Sequence, residues 1–120
     1  MSDIDPTAGG TLPMTMEEYE QLAARTLNPS LTRDQRLLDA AAGLTEESGE
    51  VLGIVRKHVF MGHPLDRARA TIELGDALWC LTTVAATLGV SLEEVAAANI
   101  AKLRKRYPDG YTNDRSLERE

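Results

Sequence analysis

Leu44-Thr45-Glu46-Glu47-Ser48-Gly49-Glu50-Val51, read together with Glu73-Leu74-Gly75-Asp76, decides how the rest of this chain is interpreted. Each segment carries carboxylates three residues apart, Glu47/Glu50 and Glu73/Asp76. On an α-helix that spacing turns through about 300° and returns both side chains to one face. With Leu44 at zero, Val51 falls at about −20°, Glu47 at about −60° and Glu50 at about −120°, so Glu47 borders the apolar stripe. With Leu74 at zero, Leu78 and Leu81 fall within about 40°, while Glu73 and Asp76 lie at about −100° and −160°. Antiparallel packing of two such helices gathers four or five carboxylates at one edge of a bundle. Like charge beside an apolar core is costly unless cations neutralise it. Oxygen-only ligands select hard ions, Mg²⁺ first and Mn²⁺ second. A solvated helix face also carries such pairs, so spacing alone leaves both readings open.

At 120 residues the chain has room for one core. Aromatics are few, Ala and Leu abundant and β-branched runs absent, which favours helices. No run is apolar enough to span a membrane, and the N-terminus lacks the charged and apolar regions of a signal peptide. The expectation is a cytoplasmic chain with no membrane partner. The net charge is −6, from 19 acidic and 13 basic side chains. Without Glu46, Glu47, Glu50, Glu73 and Asp76 the balance would be 14 against 13, so those five carry most of the excess. An acidic chain argues against general nucleic-acid binding, though not against a small phosphorylated substrate. The single cysteine, Cys80, excludes an intrachain disulfide and reads as a small core residue.

Residues 1–13 are small, polar and broken by Gly and Pro, and are read as a flexible leader. Thr15 with Glu18, Thr32 with Gln35 and Ser91 with Glu94 are capping-box pairs. They predict helices over about 15–26, about 32–60 and about 92–107, with a further helix over about 66–88 ending before Gly89. Gly49 is read as a place of close approach beside Glu47 and Glu50. Ala70, Leu74, Ala77, Leu78, Leu81, Ala85 and Leu88 form the predicted core stripe of the third of these helices. Trp79 faces elsewhere, toward a subunit interface or a base pocket. Asn99 falls in the middle of the last apolar stripe, with Lys102 and Arg106 alongside. An inward amide needs polar partners, and the cations suit phosphate. His58 and His63 are read as structural, and without an ExxH pair the pattern departs from di-iron bundles. Residues 112–120 are read as a flexible tail.

Glu47-Ser48-Gly49-Glu50-Val51, Glu73-Leu74-Gly75-Asp76-Ala77-Leu78-Trp79 and Asn99 through Lys102 to Tyr107-Pro108-Asp109-Gly110-Tyr111 together resemble the MazG-like nucleotide pyrophosphohydrolases. The likeness runs from about Met16 to Tyr111, within a predicted domain of residues 14–111. It implies an all-α fold whose four-helix core is completed by homo-oligomerisation, as a dimer or a tetramer. It also implies Mg²⁺-dependent cleavage of nucleoside triphosphates between the α and β phosphates, in nucleotide-pool house-cleaning. By resemblance Glu47, Glu50, Glu73 and Asp76 are the metal ligands, and Asn99 and Lys102 lie near metal or phosphate. Phosphorus chemistry then assigns Glu46 or Glu50 as the base, and Lys102 with Lys105 or Arg106 as phosphate holders. Two alternatives stand beside this reading: hydrolysis of phosphoribosyl-ATP, and a non-catalytic helical binding or regulatory module.

Overall fold

The computed structural model describes residues 14–118, so the predicted 1–13 leader lies outside them. It contains α1 (Met16–Ala24), α2 (Arg33–Met61), α3 (Arg67–Thr87), α4 (Leu92–Arg106) and α5 (Asn113–Leu117), with no strand among the described residues. The fold is all-α. All three capping boxes form: Thr15, Thr32 and Ser91 each accept from the N3 backbone, and Glu18, Gln35 and Glu94 answer at the cap nitrogen. Asp66 caps α3, and Thr112 caps a single-turn α5 inside the segment read as a tail. α2 stops where Gly62 takes a left-handed φ of 71°. The His58 ring fixes that end, its Nδ1 donating to the His63 carbonyl at 2.8 Å.

α2 and α3 form the body of the molecule. Gly43 on α2 faces Cys80 on α3, and one turn further along α2 Glu47 faces Glu73 and Asp76. Position rises on one helix as it falls on the other, so the pair is antiparallel. A Cβ added at Gly43 would stand 2.8 Å from the Cys80 Sγ, so the helices touch where neither carries bulk. Gly43→Ala in the parent is expected to destabilise by about 1–3 kcal/mol through overpacking. In a Cys80→Ala background the same change should stabilise by up to about 1 kcal/mol through helix propensity. A double-mutant cycle by denaturant unfolding checks the reversal of sign.

The seam runs through Glu73, Asp76 and Cys80, which corrects the predicted stripe of α3. Leu74 and Leu88, assigned to the core, are more than half exposed. The buried apolar residues are Ala23, Ala40, Cys80, Ala85 and Leu92, joined by Thr82 and Thr83. One leucine among them is a small core for a chain of this length. The Cα radius of gyration is 17.3 Å, where a compact domain of this length has about 13.6 Å.

The missing burial lies along α2. Leu38, Thr45, Leu52 and Val59 recur every seventh residue, with Ala41, Ser48 and Val55 three places after the first three. This is the a/d spacing of a helix-packing seam, on the side of α2 turned away from Gly43 and Glu47. Leu38, Leu52 and Val59 are 72%, 64% and 60% exposed. Among the described residues nothing covers this face.

α4 follows the C-terminal end of α3, and α1 is joined to the middle of α3. The Trp79 indole N–H donates to Thr26 Oγ1 at 2.7 Å, and Thr26 donates on to the Ala23 carbonyl at 2.7 Å. In this chain Trp79 therefore holds the end of α1, where the sequence suggested an interface or a base pocket. α3 and α4 are bent by 95° at the break around Gly89, whose φ is 80°. No single helix among the described residues is long and apolar enough to cross a membrane.

Candidate metal centre

Three of the four predicted ligands come together. Glu47 from α2 and Glu73 and Asp76 from α3 each offer a carboxylate oxygen, and the three oxygens lie within 4.8 Å of one another. The i,i+3 spacing puts Glu73 and Asp76 on one side of α3, and the antiparallel pairing brings Glu47 to meet them. Glu47 and Glu73 are half-buried and Asp76 is exposed, so the cluster opens to solvent along one edge. Glu50 is exposed one turn beyond Glu47 and outside this triad, as is Glu46.

Glu47 is the least comfortable member. Its Oε2 is sealed from solvent and has no hydrogen-bond partner. Burial pushes its carboxyl above the usual carboxylate range, the nearby Glu73 carboxylate favours its protonated form as an acceptor, and the charges of Asp76, Glu73 and Glu46 push the same way. A sealed, unpartnered carboxylate oxygen against two further carboxylates is a donor set suited to a hard divalent cation. The residues fit Mg²⁺ or Mn²⁺.

The raised carboxyl gives a pH dependence with a definite sign. In the unfolded chain Glu47 ionises in the ordinary range, and in the folded chain only above it. Its contribution to stability without metal is therefore full at acid pH and is lost as pH rises through the raised value. A bound cation favours the ionised form, so its stabilising effect should grow over the same window. Thermal unfolding across pH, with Mg²⁺ and with EDTA, should show the two curves separating as pH rises; parallel curves would contradict this.

Two neighbours of the triad escaped the sequence reading. Burial raises the Tyr19 hydroxyl, with further contributions from the charges of Asp76 and Cys80. Burial also raises the Cys80 thiol, followed by the charges of Glu47, Asp39, Asp76 and Glu46. A thiol held up in this way is a poor nucleophile, which agrees with a packing role. Asp39 was detectable in principle, lying four residues before Gly43 and eight before Glu47 on the α3-facing side.

α4 differs from its predicted placement. Leu92 is buried, but every residue from Glu93 to Lys105 is exposed, Asn99 and Lys102 included, and Arg106 is half-buried. Among the described residues the predicted inward face has no partner: Val95 and Leu103 on the same stripe are more than a third exposed. Asp76 precedes the end of α3 by about 16 Å, and Lys102 lies about 15 Å along α4 from Leu92. With the 95° bend between them, the α4 cations and the acids of one chain stand well apart.

The family model of the MazG nucleotide pyrophosphohydrolase domain matches residues 35–111. That match takes in α2, α3, α4 and the whole acidic cluster but stops short of α1, which the sequence resemblance had included. No curated protein and no solved structure matches the chain.

Proposed function

This chain belongs to the MazG nucleotide pyrophosphohydrolase domain family, and from that premise we propose that it hydrolyses nucleoside triphosphates at the α–β phosphate bond. The products are a nucleoside monophosphate and pyrophosphate, and the role is clearance of unwanted nucleotides in the cytoplasm. The observation that supports it most is the Glu47, Glu73 and Asp76 triad with its sealed, unpartnered oxygen. Those three residues would hold Mg²⁺, or Mn²⁺ in its place. When bound, such an ion neutralises charge developing on the phosphates and lowers the pKa of a water.

The chain's own groups divide the remaining work. Glu50 stands one turn from the triad with its carboxylate free of it, which suits removal of a proton from the attacking water. Glu46 is the second candidate for that base. Asn99 and Lys102, with Lys105 or Arg106, hold the phosphate chain. Because α4 carries these groups away from the acids of its own chain, we assign them to a site shared between copies. The uncovered heptad seam of α2 supports a homo-oligomer in which this sharing occurs.

The test is a panel of canonical and modified (d)NTPs incubated with Mg²⁺ and then with EDTA, with phosphoribosyl-ATP alongside. Monophosphate and pyrophosphate should appear from one or more triphosphates with metal alone. Turnover of phosphoribosyl-ATP only would replace this reading with the alternative hydrolase, and an inert panel would favour a binding module.

A further inference from the structure

α4 carries the groups assigned to phosphate, yet only its first turn is anchored. Leu92 is its buried residue, so the aim of the whole helix depends on what holds that turn. Two carboxylates do so. Glu94 closes the box on Ser91, its Oε2 accepting from the Ser91 backbone N–H at 2.7 Å. The second comes from elsewhere in the chain: Glu20 on α1 accepts from the Leu92 N–H at 3.1 Å in a partly buried contact. A carboxylate there satisfies one of the donors that a helix start leaves open, and it meets the positive end of the helix dipole.

α1 is itself fixed to the helix that bears the acids. Trp79, one turn after Asp76, donates to Thr26, which donates to Ala23, and Ala23 lies one turn from Glu20. Ala23 and Leu92 are both buried. From α3 through α1 to the start of α4 there is thus one continuous connection. It ties the helix bearing two of the triad acids to the helix bearing the cations.

We propose that α1 is a strut and that Glu20 is a positioning residue for the reaction, setting the direction of α4 and hence the reach of Asn99 and Lys102. The role rests on the functional reading above, but α1 lies outside the residues that the family model matches. Leverage makes the contact matter. Lys102 is ten residues beyond Leu92, about 15 Å along the helix, so a swing of about 10° at the anchor moves it by about 2.6 Å. Misplacement of about 1 Å can cost about a hundredfold in rate.

The experiment compares Glu20→Ala and Glu20→Gln in the full chain, reading triphosphate turnover, the Mg²⁺-induced thermal shift, and amide exchange at the start of α4. Glu20→Ala should raise KM at least about tenfold, with exchange at Leu92 accelerated and the Mg²⁺ shift unchanged, because the triad is untouched. Glu20→Gln keeps an acceptor oxygen and should recover most of KM and of the protection. Unchanged exchange in Glu20→Ala would overturn the anchor. Faster exchange with unaltered KM would overturn the positioning role. Loss of the Mg²⁺ shift together with turnover would reduce Glu20 to general stability. A parent without turnover would sink the functional reading and this role with it, while the exchange measurement would still judge the anchor alone.

Discussion

Glu47→Gln is expected to lower triphosphate turnover by at least about a thousandfold while leaving the chain folded. Glutamine keeps the shape and one carbonyl oxygen of the side chain but removes the charge on the sealed oxygen at the centre of the triad. Electrostatic stabilisation by a bound cation supplies several kcal/mol, and about 4 kcal/mol corresponds to roughly three decades in rate. Two accompanying effects separate this from simple unfolding. Without metal the variant should melt higher than the parent, because burial and neighbouring acids penalise the Glu47 charge. With Mg²⁺ its thermal shift should shrink or vanish, because that shift reports the difference in affinity between folded and unfolded chains. Glu50→Gln should behave differently. Outside the triad and assigned as the base, it should cost turnover by about 10²–10⁴ while keeping most of the Mg²⁺ shift. Turnover at two substrate concentrations and paired melts would check both variants.

The second large effect concerns the bare face of α2. Leu52→Glu puts a charge at the middle of the seam that Leu38, Leu52 and Val59 leave exposed in one chain. If a second copy covers that seam, each association buries Leu52 from both copies. At about 1.5–3 kcal/mol per leucine, their loss weakens association by about two to four decades before the cost of burying two carboxylates is added. The variant should run as a monomer in sedimentation, retain its helical signal, and lose turnover although every acid of the triad is intact. A mixture of Glu47→Gln and Lys102→Ala chains should regain turnover that neither has alone, since each supplies what the other lacks. A monomeric parent with full activity would contradict the shared site.

Helix order, the capping boxes and the acidic cluster were legible in the sequence because they depend on local spacing. Ser91 with Glu94, or Glu73 with Asp76, defines its own geometry within one turn. The face that α3 presents to α2 was not legible. Periodicity favoured Leu74 and Leu78, but Gly43 admits Cys80 so closely that the helix turns its acids and small residues into the seam. Leu74 is then left outside, a choice made by contact between residues far apart in sequence. Asn99 shows the same limit. Its stripe is apolar, so the sequence places it inward, but in one chain that side of α4 is exposed. Glu50 was included with the ligands by resemblance and by its i,i+3 partner, whereas the triad forms without it. Glu20 carried no signal at all, because its partner is a backbone N–H more than seventy residues away.

Cleavage at the α–β bond and its dependence on a cation at the acid triad can be read in one assay. The most direct measurement is hydrolysis of the best triphosphate in heavy-oxygen water, with Mg²⁺ and after EDTA, following the label by mass spectrometry. Label is expected in either the nucleoside monophosphate or the pyrophosphate, with none in orthophosphate and no nucleoside diphosphate formed, and no turnover is expected after EDTA. Labelled orthophosphate, a nucleoside diphosphate product, or turnover that survives EDTA would contradict α–β cleavage at a metal held by the triad.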